Sequence, residues 1–155
     1  RPPPGQFLVA AGHTTEEVDA WWQAYYTEHA VEVDFSEFDM NQTLATRDVE
    51  IEVSASLLGL PSADDYRALR AGSYCLLRDV AATETGCERT SGEPATLLHN
   101  TLVGMCMAMR MVPKGVRWHG IFQGDDMVLF LPGAGLRASL RWTPAEIGLY
   151  GFNIP

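Results

Sequence analysis

The chain has 155 residues, 46% of them hydrophobic and 20% charged, which fits one globular domain and excludes a disordered or low-complexity chain. Its formal net charge is -9, which by itself repels a polyanion such as nucleic acid. Solvated helix faces account for much of this acidity, and we assign to them Glu16, Glu17, Asp19, Glu50, Glu52, Asp64 and Asp65.

Cysteine usage and hydropathy exclude further classes of protein. The odd number of cysteines and the lack of Cys-x-x-Cys spacing argue against a zinc ribbon or a secreted disulfide scaffold, so we expect reduced thiols. The longest apolar run, residues 102–109, is far shorter than the roughly 18 residues of a membrane-spanning helix, and we expect a soluble piece without a signal peptide. Because the chain begins at Arg1 rather than methionine, we expect it to be cut from a longer protein.

The N-terminal part predicts an irregular segment followed by a helix. Residues 1–12 are rich in proline and predict no regular structure. Thr14 predicts a helix start, because its hydroxyl can cap the helix and acidic residues occupy the first turn. The spacing of the helix's aromatic residues favours packing in a core over stacking on bases. These residues are Trp21, Trp22, Tyr25 and Tyr26.

The next elements are a short strand and two helices. Residues 31–35 have a β-type pattern, and residues 41–58 predict a helix that Gly59 and Pro61 end. Ser62 is placed to cap a second helix. Together they begin an alternation of strand and helix.

The central region predicts an insertion and then a long helix. Residues 73–89 predict a hairpin with a polar turn at 83–86. Pro94 is expected at the first position of an apolar helix that runs to about Met111, and Pro113 stops it. The helix would follow the loop that begins at Ser91.

The C-terminal part predicts a second hairpin. Apolar runs at 116–123 and 127–131 flank Gly124-Asp125-Asp126, and glycine and aspartate tolerate the positive φ of tight turns. A helix near 134–140 and a strand near 147–152 are expected to follow. The order of elements predicts an α+β fold, a mainly antiparallel sheet with helices packed on one face.

Carboxylates at strand ends are candidate metal ligands. Asp125 and Asp126 would be raised at the tip of a hairpin above a buried sheet, although three such residues alone also fit an ordinary surface turn. Asp34 ends another apolar run and Asp39 follows five residues later, a spacing that is also common among solvated acids. Two magnesium ions about 3.5 to 4 Å apart need carboxylates from separate strands, and Asp34 with the hairpin pair would supply them.

Polar residues in the long helix are candidate substrate contacts. Four-residue spacing puts Thr96 and Asn100 on one helix face. Asn100 together with Asp39 could contact a ribose 2′-hydroxyl, which donates and accepts hydrogen bonds. The alternative for any isolated asparagine is a buried amide bonded to backbone.

Three ordered segments resemble motifs A, B and C of viral RNA-dependent RNA polymerases. They read DFSEFD at 34–39, SGEPATLLHNT at 91–101 and GDD at 124–126. From residue 33 to residue 155 the chain resembles the rubella-type polymerases of positive-strand RNA viruses. The resemblance implies a polymerase palm, with segments as follows: motif A 33–42, a small fingers-type insertion 60–90, motif B 91–110, motif C 117–131 and the start of motif D 134–155. The full fingers and thumb would lie elsewhere.

The resemblance implies a role for each matching residue. Asp34, Asp125 and Asp126 would be the catalytic carboxylates that bind two Mg²⁺ ions, with Mn²⁺ as a substitute, and the backbone carbonyl of Phe35 would also touch a metal. Substrate contacts are implied for Asp39, Asn100, Ser91, Gly92 and Thr96. The pair Asp39 and Asn100 would select ribose, and the loop at Ser91 and Gly92 would position template and nucleotide. His99 matches no role and is assigned to packing or surface.

The implied activity is template-directed transfer of nucleotides from ribonucleoside triphosphates to an RNA 3′-hydroxyl during viral replication. Its partners would be template and nascent RNA and the remaining fingers and thumb of a polyprotein-derived replicase, at a membrane-associated complex in the host cytoplasm. The basic surface that grips RNA would lie in those other parts. Lys114, the single lysine, precedes the hairpin, so we expect the general acid beyond Pro155 and an inactive isolated fragment.

Two alternatives stay open. A reverse transcriptase shares the palm but has no need of Asn100 and Asp39 to accept a 2′-hydroxyl. A non-catalytic interaction domain descended from a polymerase would not need the intact carboxylate set.

Overall fold

The computed structural model describes residues 6–35, 37–59, 62–70, 74–77, 81–84 and 95–134. Within these residues it contains β1 (Phe7–Val9), α1 (Thr15–Tyr25), β2 (Ala30–Val33), α2 (Leu44–Leu57), α3 (Ala63–Arg70), β3 (Tyr74–Leu77), β4 (Ala81–Glu84), α4 (Thr96–Met111), β5 (His119–Gln123) and β6 (Asp126–Phe130). The predicted helix at 134–140 and strand at 147–152, and motif D with them, lie almost wholly outside the described residues. The predicted α+β class is confirmed.

The start of α1 follows directly from local sequence. The Thr14 side chain accepts a hydrogen bond from the backbone N–H of Glu17, and the Glu17 carboxylate accepts one from the N–H of Thr14. This reciprocal capping box satisfies two donors that a helix start otherwise leaves open. The predicted helix start is confirmed.

The helix after β2 begins later than predicted. Residues 37–41 form a turn, in which the N–H groups of Met40 and Asn41 bond the Glu37 carbonyl, and α2 starts only at Leu44. Thr43 caps α2 through the N–H of Thr46. Residues 37–43 mix Phe38 and Met40 with polar and acidic residues, and this short segment carries no period that distinguishes a turn from a first helical turn.

Ser62 and the central hairpin were predicted correctly in part. Ser62 Oγ accepts a hydrogen bond from the N–H of Asp64 in α3, as expected. The hairpin exists, but β3 and β4 pair with Tyr74 opposite Glu84 and Leu77 opposite Ala81. The turn predicted at 83–86 is wrong, because Thr83 and Glu84 belong to β4.

The long helix α4 begins at Thr96 rather than at Pro94. The residue before it, Ala95, has a φ of 65°, in the left-handed region, and makes no side-chain cap. Such a backbone conformation is unfavourable for a residue with a Cβ atom and ends the helical path at that point. The helix ends at Met111, before Pro113, as predicted.

The main sheet has four strands in the order β1-β5-β6-β2. β5 pairs antiparallel with β6, β6 pairs antiparallel with β2, and β1 pairs parallel with β5. The sheet is mainly antiparallel, as predicted, but β1 lies within the segment predicted to be irregular. A strand of three residues is too short for its period to show in sequence.

Apolar side chains lie on both faces of this sheet. Met127 and Leu129 of β6 belong to one core, which α4 covers with residues such as Met107. Phe130 of the same strand belongs to the other core, with Trp21 of α1, which is 0% exposed. The prediction that helices pack on one face is therefore wrong for α1. The aromatic residues of α1 pack as predicted, with Trp21 and Trp22 both against Phe130.

Within the described ranges, no helix combines sufficient length with sufficient hydropathy to cross a bilayer.

Candidate functional site

Three carboxylates meet at one end of the central strand pair. Gly124 and Asp125 form the two-residue loop between β5 and β6, with Gln123 paired opposite Asp126. Gly124 supplies the positive φ of this loop, 64°, as the predicted tight turn requires. Val33 pairs with Met127, and one further step places Asp34 beside Asp126.

Strand alternation explains why these acids reach solvent. Val33 and Phe35 point into the core, so the side chains between and before them, Glu32 and Asp34, lie on the other side and are exposed. Asp125 and Asp126 are exposed as well. Glu32 was not predicted as part of the site, although its two-residue spacing from Asp34 was the available signal.

Burial and the charges of the carboxylate cluster shift the pKa of Asp126. Partial burial raises the pKa of its carboxyl, and the negative charges of Asp125, Asp34 and Glu32 raise that pKa further. Like charges held near one another disfavour ionisation, and a cation between them would relieve the repulsion. The donor set fits a hard divalent ion, because such ions prefer carboxylate oxygens.

The carboxylates are adjacent but do not form a closed ligand shell. Within the described part of the chain, no three acidic, histidine or cysteine side chains are gathered closely enough to hold a metal ion as they stand. Asp34, Asp125 and Asp126 would therefore have to turn toward a shared ion. Their exposure leaves them free to do so.

Asp39 and Asn100 are in direct contact. The turn at 37–41 includes Glu37 with a φ of 53°, and it carries Asp39 to the N-terminal half of α4. There Asn100 Nδ2 donates a hydrogen bond of 2.8 Å to Asp39 Oδ1. Asn100 is 3% exposed, so the alternative prediction of a buried amide is correct about burial. It is wrong about the partner, because the amide nitrogen bonds the Asp39 side chain rather than backbone.

Thr101 joins α4 to the β5–β6 hairpin, a contact that sequence analysis did not predict. Its Oγ1 donates to the Leu97 carbonyl at 2.7 Å and accepts from the backbone N–H of Gly124 at 2.8 Å. The loop that carries Asp125 is thus bonded to the helix that carries Asn100. A threonine inside a helix gives no sign of such a contact 23 residues away.

A buried polar group lies behind Asn100. His99 Nε2 and Ser54 Oγ are 2.9 Å apart, and His99 Nδ1 lies 3.8 Å from Glu50 Oε2. His99 and Glu50 are each 1% exposed. The assignment of Glu50 to a solvated helix face is therefore wrong, because α4 covers that side of α2, and His99 is a buried polar residue rather than a surface one.

The remaining predicted residues have mixed outcomes. Phe35 is buried in the core with its ring 5.2 Å from that of Phe38, and the metal contact of its carbonyl stays a prediction. Thr96 opens α4 and is half-buried. Ser91 and Gly92 lie outside the described residues.

Comparisons with known proteins agree with this geometry. A family described as RNA dependent RNA polymerase matches residues 3–149. The chain is 79% identical over 150 residues to the non-structural polyprotein p200 of Rubella virus strain M33, and equally to that of strain Therien. The match covers 97% of this chain but 7% of the polyprotein.

A solved structure shares the fold. It is the insertion loop deletion mutant of the RNA-dependent RNA polymerase of a human picorbirnavirus, with a TM-score of 0.74 and 20% sequence identity. The likeness covers 95% of this chain and 31% of that one. At this identity it bears on the fold alone.

Proposed function

Because the chain belongs to the RNA-dependent RNA polymerase family, we propose that it forms the catalytic palm of a polymerase that joins ribonucleotides on an RNA template. The observation that carries the proposal is the meeting of Asp34, Asp125 and Asp126 at one end of β2 and β6, next to a helix whose Asn100 contacts Asp39. A metal site and a sugar contact would then share one scaffold.

The three carboxylates are proposed as the ligands of two divalent ions, Mg²⁺ or in its place Mn²⁺. When bound, such ions clamp the attacking and leaving oxygens of an in-line phosphoryl displacement. The protein's own contribution is positional. The pairing of β2 with β6 fixes the backbone at Asp34. The two-residue turn fixes the backbone at Asp125, and the Gly124 N–H of this turn donates a hydrogen bond to Thr101.

Asp39 and Asn100 are proposed to select ribose. The Asn100 amide nitrogen is used by Asp39, while within the described part of the chain its buried Oδ1 has no hydrogen-bond partner. A 2′-hydroxyl entering between them could donate to one oxygen and accept from an amide N–H. A deoxyribose would leave the buried amide unsatisfied, which costs binding energy.

Binding of RNA is proposed to depend on the rest of the polymerase. The net charge of -9 opposes a polyanion. The chain spans about 7% of the length of the curated relatives it matches. Basic surfaces for RNA and triphosphate would come from fingers and thumb segments of the same replicase.

Primer extension by the complete polymerase tests the proposal. Wild type should extend an RNA primer with ribonucleotides when Mg²⁺ is present, and Asp125→Asn should not. Asp65→Asn, which changes an exposed acid in α3, is the matched control and should retain activity. Equal extension by wild type and Asp125→Asn would refute the proposal, and preference for deoxyribonucleotides would favour a reverse transcriptase.

A further inference from the structure

Three consecutive residues of α4 are buried, and each contacts a different element. His99, Asn100 and Thr101 are 1%, 3% and 1% exposed. Successive helix positions are about 100° apart, so these side chains leave the helix in three directions. His99 reaches Ser54 in α2, Asn100 reaches Asp39, and Thr101 reaches the hairpin turn.

These contacts lie in the N-terminal half of α4, close to its first turn. Ala95 provides no side-chain cap at the start of α4. Leu97 and Leu98 are 48% and 43% exposed, so the first turn has little apolar packing. The three polar contacts, together with Val103 and Met107 buried further along α4, therefore set the rotation of the helix about its axis and with it the direction of the Asn100 amide.

Both partners of the His99 contact are buried. Ser54 is 4% exposed, and both it and Glu50 lie on one face of α2, four residues apart. A buried polar group is costly unless it is hydrogen-bonded, so the 2.9 Å contact with Ser54 Oγ gives the imidazole a defined position, with Glu50 Oε2 3.8 Å from its Nδ1. α2 thereby provides a fixed reference for α4.

We propose that His99 is a positioning residue for ribose selection: through Ser54 and Glu50 it fixes the rotation of α4 and so aims the Asn100 amide at Asp39 and the sugar. The proposal rests on the proposed function, because it requires that Asn100 contact the ribose. His99 itself touches no substrate. Its effect should appear in the choice between sugars more than in the rate common to both.

The test is competition between ribonucleoside and deoxyribonucleoside triphosphates in primer extension by the complete polymerase. His99→Leu should lower the ratio of ribonucleotide to deoxyribonucleotide incorporation by roughly threefold to tenfold, the range expected for loss of one hydrogen bond. Ser54→Ala should lower the ratio as well. The double variant should be no lower than His99→Leu, because both changes remove the same contact.

Conservative and control variants separate positioning from simple packing. His99→Gln keeps a group that can bond Ser54 and should recover part of the ratio. Met107→Ala removes buried volume two turns along α4 and should reduce the amount or rate of active enzyme while leaving the ratio unchanged. If His99→Leu is insoluble, Ser54→Ala decides, since it removes only a hydroxyl.

Three results would overturn the proposal in distinguishable ways. An unchanged ratio in Ser54→Ala and the His99 variants, with a lowered ratio in Asn100→Ala, would make His99 a packing residue and leave the proposed function intact. An unchanged ratio in Asn100→Ala would remove the route by which His99 acts, and would refute ribose selection itself. Equal changes in the Met107→Ala control would assign the effect to general destabilisation.

Discussion

Thr101 Oγ1 accepts a hydrogen bond from the backbone N–H of Gly124, at 2.8 Å. Gly124 is buried and opens the loop that carries Asp125. The contact ties the position of Asp125, a proposed metal ligand, to α4, the helix that also carries Asn100. The proposed metal site and the proposed sugar contact are thus connected through one helix.

Replacing Thr101 tests this connection. Thr101→Val keeps the shape of the side chain but leaves the Gly124 N–H without its acceptor, which should cost about 1 to 3 kcal/mol of stability. We expect a lower thermal midpoint and slower Mg²⁺-dependent primer extension. Thr101→Ser retains the hydroxyl and is the matched control. Equal behaviour of the two variants would show that the bond does not position the loop.

Loss of either principal carboxylate should remove nucleotide addition. Asp34→Ala or Asp125→Ala forfeits a metal ligand and with it several kcal/mol of transition-state stabilisation, where each 1.4 kcal/mol is about tenfold in rate. Asp126→Asn should be milder. Single-turnover primer extension by the complete polymerase measures this, with Asp65→Asn as control. Activity within about tenfold of wild type for either alanine variant would contradict the assignment.

Asn100→Ala should weaken the preference for ribonucleotides by roughly 1 to 3 kcal/mol, because the amide that would bond the 2′-hydroxyl is lost. The loss should fall on ribonucleotide use, with deoxyribonucleotide incorporation little changed. Competition between the two sugars gives the ratio directly. The control Gln23→Ala removes an exposed amide of α1 and should leave the ratio of ribonucleotide to deoxyribonucleotide incorporation unchanged.

Features that depend on local sequence were predictable. The capping box at Thr14 and Glu17 lies within four residues, and the hairpin at Gly124 needs only a glycine between two apolar runs. The start of α4 at Thr96 was not, because it depends on the left-handed backbone of Ala95. β1 was not predicted either, because its three residues acquire a strand conformation only by pairing with β5.

Some contacts between distant residues were also predictable from the sequence, and others were not. Asp39 and Asn100 were expected together because the motifs of a known family include both, and their contact spans 61 residues. Ser54 and His99, 45 residues apart, had no such guide. From sequence alone, Glu50 is predicted to face solvent, because the neighbouring helix that covers it is not known at that stage. Burial of polar groups is a tertiary property, and helical period alone does not reveal it.

The charge cluster at the hairpin predicts a dependence of stability on pH. The pKa of Asp126 is raised by partial burial and by the charges of Asp125, Asp34 and Glu32. A carboxyl whose folded-state pKa lies above its ordinary value of 3.8 favours folding while it is protonated. That contribution is lost as the pH rises through the raised pKa. At neutral pH without metal, ionised Asp126 therefore opposes folding.

We therefore expect Asp126→Asn to raise the thermal midpoint at about pH 7 in EDTA. The gain in the free energy of unfolding should be no more than about 1 kcal/mol, because the side chain is exposed and its charge interactions are screened. The difference should shrink as the pH falls through the raised pKa of Asp126, because the wild-type carboxyl then becomes protonated. Saturating Mg²⁺ should reverse the order, because wild type offers the ion one more charged oxygen ligand. Asp65→Asn should show neither effect. A midpoint lowered by Asp126→Asn in EDTA at neutral pH would contradict repulsion as the dominant interaction of this carboxylate.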